Sequence, residues 1–316
     1  MTIHAFTESP PPDLASQLSA FERQFRYPLG NSGSFRIEHN ADYARFYRAM
    51  GDARCFVSQG AAEVLGVLSA AVRDLQAPDG SQHSVAYIGD LKLAPHARFG
   101  MTLPDLTAAC IAWASLRAVA AFGIVMDGTK NLPEKYSGRV GIPGFEPLGH
   151  IVVLRFKCRT ERGDVSNNDL LANDQTGRDC YRELSIGRYA CPLGRSGERS
   201  EVTGRWFVTG SGDACGFLED TRRAKRLIGD DDVEMQSAHL SCLAYRDVSA
   251  AARLLRTAIV EAARLDYPAV FIAVDANDAN TLLREFADFP VIAAPATVYG
   301  FLLQKDFPWN VNSSEI

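Results

Sequence analysis

Residues 54–60 read Arg54-Cys55-Phe56-Val57-Ser58-Gln59-Gly60, and residues 205–211 read Arg205-Trp206-Phe207-Val208-Thr209-Gly210-Ser211. The two stretches stand 151 positions apart, and the match runs on from them. Val64-Leu65-Gly66-Val67-Leu68 falls opposite Cys215-Gly216-Phe217-Leu218-Glu219, one glycine out of step. Val72-Arg73-Asp74-Leu75 then falls opposite Ala224-Lys225-Arg226-Leu227. Apolar residues bounded by glycine turns favour strands, so the pattern reads as one β-hairpin used twice.

The remainder of each copy matches as well. The strand Ser84 to Leu93 answers Ala238 to Tyr245. Each leads into a helix, expected over Pro104 to Ala121 and over Ser249 to Leu265. Proline is tolerated in a first helical turn, and Asp247 or Ser249 suits an N-cap. A short apolar strand ending in Asp follows in both copies, at Asp127 and at Asp275. Last come a short helix (Asn131 to about Val140; Asn280 to about Phe286) and a final strand (His150 to Phe156; Val298 to Leu303). Strands followed by alternating helix and strand make a mixed α/β (α+β) class, here two tandem domains, each a central sheet flanked by helices. The expected organisation is residues 1–158, a polar linker over 159–178, and residues 179–316.

Composition narrows the function classes. The chain has 316 residues, enough for two domains, and 47% of them are hydrophobic. A formal net charge of −5 argues against sequence-independent nucleic-acid binding, which rests on basic residues neutralising phosphates. The basic run from Arg222 to Arg226 reads as a solvated loop or strand end. Seven cysteines without a C-x-x-C pair suggest buried thiols rather than a disulfide framework or a zinc site, and no metal is expected. The N-terminus lacks the features of a secretory signal, and Leu106 to Met126 reads better as a buried helix and strand than as a membrane span. A cytoplasmic protein without a membrane partner is the expectation.

The order of elements resembles the GNAT acetyltransferase superfamily, twice over. In the first copy the resemblance rests on Ile88-Gly89-Asp90-Leu91-Lys92-Leu93-Ala94-Pro95, on Arg98 and Gly100, and on the long helix after them. It is supported by Gly141-Ile142-Pro143-Gly144-Phe145-Glu146-Pro147-Leu148-Gly149 before the last strand. The resemblance implies acetyl-coenzyme A as cosubstrate. Its pantetheine would pair with a splayed central strand at Leu91, Lys92 and Leu93, and its pyrophosphate would lie in the following loop, at Arg98, Phe99, Gly100, Met101, Thr102 and Leu103. A helix N-terminus offers free N–H groups and a positive dipole end to such a phosphate. The family's glycine pattern is not kept: starting from Arg98, the expected glycines fall on Met101 and Leu103. The second copy has Tyr245-Arg246-Asp247-Val248-Ser249-Ala250 at that place, without glycine and with an acid that repels phosphate, so it reads as mainly structural.

Acetyl transfer to an amine needs a polarised carbonyl, a base for the amine and a proton for the leaving thiolate. Tyr136 is the candidate acid, with a packing tyrosine as the competing reading. Asp90 is a candidate to orient or deprotonate the amine, with a structural aspartate as its competitor, and Glu134 is a weaker candidate of the same kind. The Gly210-Ser211-Gly212 stretch reads as a hairpin turn rather than a dinucleotide loop, since it joins two strands. The expected function is N-acetyl transfer to a small-molecule or peptide amine. The alternatives are a non-catalytic tandem module that binds a metabolite or protein, and a chain that forms a homodimer through this fold.

Overall fold

The computed structural model describes residues 1–61, 63–139, 141–158 and 171–316. The first half begins with β1 (Thr2–Phe6), α1 (Pro12–Glu22), β2 (Tyr27–Pro28), β3 (Ser34–His39) and the single turn α2 (Arg45–Arg48). It continues with β4 (Asp52–Gln59), β5 (Val64–Gln76), β6 (Gln82–Leu93), α3 (Thr102–Ala114), β7 (Ala120–Met126) and β8 (Glu146–Lys157). The second half holds β9 (Leu171–Ala172), α4 (Asp174–Leu184), β10 (Tyr189–Ala190), α5 (Ser196–Arg199), β11 (Arg205–Val208), β12 (Ala214–Glu219) and β13 (Lys225–Gly229). It ends with β14 (Ala238–Tyr245), α6 (Val248–Arg264), β15 (Ala269–Asp275), α7 (Ala276–Glu285), β16 (Val291–Phe301) and β17 (Trp309–Asn310).

The fold is mixed α/β, and the repeated hairpin is real. β4 pairs antiparallel with β5, and β11 with β12. Both central strands then run parallel to the strand that follows their helix: β6 to β7, and β14 to β15. The halves are not laid side by side as closed units. One sheet runs in the order β1-β4-β5-β6-β7-β16-β8-β15-β14-β12-β11-β9. β16, from the second half, lies between β7 and β8, while β8, from the first, pairs with β15. Each half thus completes the sheet of the other. A second, three-stranded sheet, β13-β3-β2, also joins the halves, with His39 opposite Lys225 in its register.

Helix caps follow the sequence. Asp247 caps α6 by accepting the Ala250 N–H at 2.8 Å, and Asp275 caps α7 through the Asn277 N–H at 3.0 Å. The buried face of α6 runs through Ala251, Leu254, Leu255, Ala258 and Ala262, at helical spacing. Several expectations need correction. The first helix starts at Thr102 and stops at Ala114, because residues 120–126 are drawn into the sheet between β6 and β16. The helix expected from Asn131 shrinks to a 3₁₀ turn, Pro133–Lys135. Of the polar linker, residues 159–170 lie outside the described residues. From Leu171 the chain is already strand, and from Asp174 it is α4, whose cap Asn173 accepts the Thr176 N–H. The basic run is not uniformly solvated: Lys225 opens β13 and is buried, while Arg222 pairs with Glu201 and Glu234. All seven cysteines are free thiols, five of them buried.

Candidate active site

The site begins with a bulge in β6. Against β5, Gly89 faces Ser69 and Lys92 faces Val67, so Asp90 and Leu91 together oppose the single residue Leu68. Asp90 takes a left-handed φ of 53°, a conformation that Asp tolerates better than most side chains. A bulge of this kind bends its strand. On the other edge, β6 pairs with β7 only as far as Tyr87 and Phe122. Gly123 still packs closely on β6, where a Cβ would lie 2.6 Å from the Ile88 carbonyl oxygen, but beyond Phe122 no pairing of the two strands is recorded among the described residues.

A cavity of about 420 Å³ fills this opening. One arm runs beneath α3 and is lined by Leu68, Ile88, Leu103, Thr107, Cys110 and Ala114. The other end reaches the opposite face of the sheet, where Tyr27, Phe35 and His39 of the small sheet meet Tyr47 and Lys225. Tyr136, Phe145 and Tyr299 close the side toward the loop after β7. A mainly apolar channel therefore leads to a polar end.

That polar end is a buried ion cluster. Lys92 Nζ lies 2.9 Å from Asp90 Oδ1 and 3.1 Å from Glu22 Oε1. The Tyr43 hydroxyl donates to Asp90 Oδ2 at 2.9 Å. His39 Nδ1 lies 2.7 Å from Glu22 Oε1, and the His39 backbone N–H donates to Glu22 Oε2 at 3.1 Å. Burial alone would raise the Asp90 carboxyl, but the charges of Lys92 and His39 hold it well below the usual carboxylate range. Glu22 is lowered in the same way, against its burial, by His39 and Lys92. Burial opposes the charge on Lys92, yet Asp90 keeps it firmly protonated. Glu22, His39 and Asp90 lie close enough together to ligate a metal, but the Lys92 ammonium already stands against both carboxylates and supplies the cation. Lys225 is different. Burial brings it down to about 7, with Asp90 pulling the other way. Its Nζ donates to the Ile316 carbonyl and sits 4.1 Å above the Phe46 ring.

The residues expected from the sequence are only partly brought together. Asp90 and Tyr136 both line the cavity, and burial pushes the Tyr136 hydroxyl up to about 12. Glu134 is exposed and accepts the Tyr299 hydroxyl at 2.9 Å, outside the cavity wall. Leu91 and Leu103 line the cavity, while the Lys92 side chain is consumed by the ion cluster. Arg98, Phe99, Gly100 and Met101 form an open, exposed loop, with Phe99 97% accessible. No side chain caps the α3 N-terminus that follows, and Thr102 is buried in its first turn. Sequence reading missed Glu22, His39, Tyr43 and Lys225. Of these, only Lys225 stood in a motif that had been singled out.

A strand order that interleaves two copies, each with a parallel pair after its hairpin, can be compared with solved structures. N-myristoyltransferase of Saccharomyces cerevisiae with bound myristoyl-CoA superposes with a TM-score of 0.61 at 9% identity, over 99% of this chain and 87% of that one. A second structure of that protein, with myristoyl-CoA and inhibitors, gives 0.61 at 10% identity, over 99% and 84%. A GCN5-related N-acetyltransferase from Anabaena variabilis gives 0.50 at 14% identity, over 95% and 72%. The chain has the tandem GNAT fold. At the level of sequence no family model and no curated protein matches. Within the tandem GNAT fold the opening between β6 and β7 lies in the first copy. In the second copy the corresponding strands are packed on both sides, and every residue of β14 and β15 is buried.

Proposed function

We propose that the protein is an acyl-coenzyme A-dependent N-acyltransferase with its single working site in the first copy. The observation that carries this reading is the cavity of about 420 Å³ that passes through the gap between β6 and β7, apolar under α3 and polar at its far end. A thioester entering along the free edge of β6 would place its acyl chain in the apolar arm and its carbonyl near the bulge. The amine acceptor, a small molecule or a peptide, would come from the side of the small sheet. The uncapped N-terminus of α3 supports a pyrophosphate beside Arg98, since its first N–H groups have no helical partner. A Cβ at Gly100 would meet nothing within 4 Å, while the side chains of Met101, which is exposed, and Leu103, which lines the cavity, stand where the resemblance expects glycine.

Acetyl-coenzyme A is the smallest donor the arm accepts, but an acetyl group would leave most of it empty. The lining favours a longer chain, as buried methylenes contribute about 0.8 kcal/mol each. Tyr136 lines the cavity and burial raises its hydroxyl, so in this reading it stays protonated and is the group that returns a proton to the leaving thiolate. Asp90 is already engaged by Lys92 and Tyr43 and is a weak base, so its role is to fix the polar end of the cavity. The test is thiol release from acetyl-, octanoyl- and dodecanoyl-coenzyme A with a panel of amines and amino-terminal peptides. Turnover that rises with chain length supports the reading; no thiol release with any donor sinks it.

A further inference from the structure

We propose that the mouth of the reaction cavity is a docking surface for an acidic carrier protein, which brings the acyl chain as a thioester on its phosphopantetheine arm. This rests on the N-acyl transfer reading above and names the partner of that same site. β6 and β7 run parallel, so the loops that follow them, one from Ala94 and one from Asp127, leave the sheet on the same edge. Leu103 and Thr107, just after the first loop, and Thr129, Pro133 and Tyr136 of the second all line the cavity. The two loops therefore frame one entrance. Coenzyme A and a carrier's arm share the pantetheine thioester that enters there, and they differ in what stays outside.

The outside of the entrance suits a protein. Phe99 is 97% and Met101 63% accessible. Large apolar side chains left in water beside cations mark interaction surfaces, and aromatic residues, Met and Arg are the types enriched there. Over residues 94–104 and 128–139 the cations are Arg98, Lys130, Lys135 and Arg139, and the only carboxylate is Glu134, in a chain whose net charge is −5. All four cations are exposed, and among the described residues none forms an ion pair. Glu134 already accepts the Tyr299 hydroxyl, and Glu63, beside the first loop, faces His96 at 3.3 Å. A positive rim around an apolar pair is complementary to an acidic partner. The first loop is less suited to a pyrophosphate, because Met101 and Leu103 carry side chains where close backbone approach calls for glycine. A carrier's arm holds a single phosphodiester, for which Arg98 and the free N–H groups of the uncapped α3 N-terminus suffice.

The occupant of this entrance has to supply the thioester. A lipid surface holds none, and that favours a carrier over a membrane. In the transfer the neutral amine nitrogen attacks the thioester carbon. The C–N bond forms, the C–S bond to the carrier's arm breaks, and the proton lost by the nitrogen balances the one that the thiolate takes up. The carrier leaves with a free thiol, and no further reactant is consumed.

Full-length wild type, F99S and K130E/R139E are compared with decanoyl groups carried by a fatty-acid acyl carrier protein, by coenzyme A and by pantetheine. Calorimetry at low and high salt reads binding, thiol release reads turnover, and thermal melting checks folding. Docking predicts that wild type binds the carrier thioester at least tenfold more tightly than the coenzyme A thioester, and that high salt removes most of this margin. Each variant should lower carrier affinity at least tenfold, while K130E/R139E keeps its KM for the uncharged decanoyl-pantetheine within twofold. Folded variants that bind the carrier as wild type does overturn the docking, and so does a wild type that binds both thioesters equally. Sedimentation with phosphatidylglycerol vesicles tests the lipid surface: vesicle binding that is lost in F99S, without any preference for the carrier, assigns the loops to a membrane and overturns the docking as well. Absence of thiol release from every donor is instead a failure of the transfer reading, and the calorimetric comparison then decides the docking alone.

Discussion

Asp90 turns its backbone to a φ of 53°, and the carboxylate released by that turn is held by Lys92 and Tyr43. Because Asp90 and Glu22 are held below their ordinary range, both titrate at lower pH in the folded chain than in the unfolded one. Their contribution to stability is therefore complete above the unfolded carboxylate range and is lost as the pH falls through the folded values. Asp90→Asn should cost about 3–5 kcal/mol at pH 7, since it strands part of a buried ammonium's charge. The loss of stability below pH 4 should become shallower in the same variant. Urea midpoints measured from pH 3 to 8 check both, and a variant as stable as wild type at pH 7 would contradict the first. Lys225 has the opposite sign. Lowered to about 7, it is neutral in the folded chain where the unfolded chain still binds its proton, so stability should rise as pH climbs from about 7 toward 10. Lys225→Met should flatten that rise; an unaltered slope would show that another group titrates there. Little of this was legible in the sequence. Glu22, His39 and Lys92 are far apart along the chain and meet only through the sheet, and Lys225 looked like one charge in an exposed basic run.

The opening between β6 and β7 belongs to the scale of elements. Gly89-Asp90 breaks the apolar run Val85-Ala86-Tyr87-Ile88 as a bulge can, but from the sequence alone the stretch to Leu93 read as one strand. The central strands, the α6 cap at Asp247 and the order of strands and helices were all readable because periodicity and capping are local. The end of α3 and the 3₁₀ turn at Pro133–Lys135 were not, since pairing with a strand from the other half decides them. Two substitutions probe the elements. Ala114→Phe puts an aromatic ring into the arm under α3. It should weaken binding of a dodecanoyl thioester at least tenfold while leaving acetyl-coenzyme A within about twofold, as read by calorimetry. Equal weakening of both would mean that the arm does not hold the acyl chain. Gly123→Val places a Cβ 2.6 Å from a backbone carbonyl that cannot yield freely. It should destabilise the chain by about 1–3 kcal/mol, read as a lower urea midpoint, and an unchanged midpoint would show that the strands adjust without strain.

Across the whole molecule, the exchange of β16 and β8 makes the two repeats depend on each other. The repeat was legible from its conserved spacing, but the exchange was not, because sequence periodicity does not say which neighbour a final strand will take. Buried ion pairs reinforce the exchange. Arg73 on β5 donates to Glu315, and Arg199 on α5 bridges Glu315 and Glu219. A chain built this way should unfold in one transition. Trp113 lies in the first half, and Trp206 in the second. Variants that keep only Trp113 or only Trp206, with Trp309 replaced in both, should report the same urea midpoint, and two separated midpoints would show that the halves unfold independently.

The account as a whole stands on one claim, that the opening in the first copy receives an acyl-coenzyme A. Isothermal titration of the full-length protein with acetyl- and decanoyl-coenzyme A addresses it without any knowledge of the acceptor. One site per chain, with the decanoyl thioester bound at least tenfold more tightly, is the predicted result. That margin is modest beside the roughly 0.8 kcal/mol that each additional buried methylene contributes. No heat of binding from either thioester at millimolar concentration would contradict the claim.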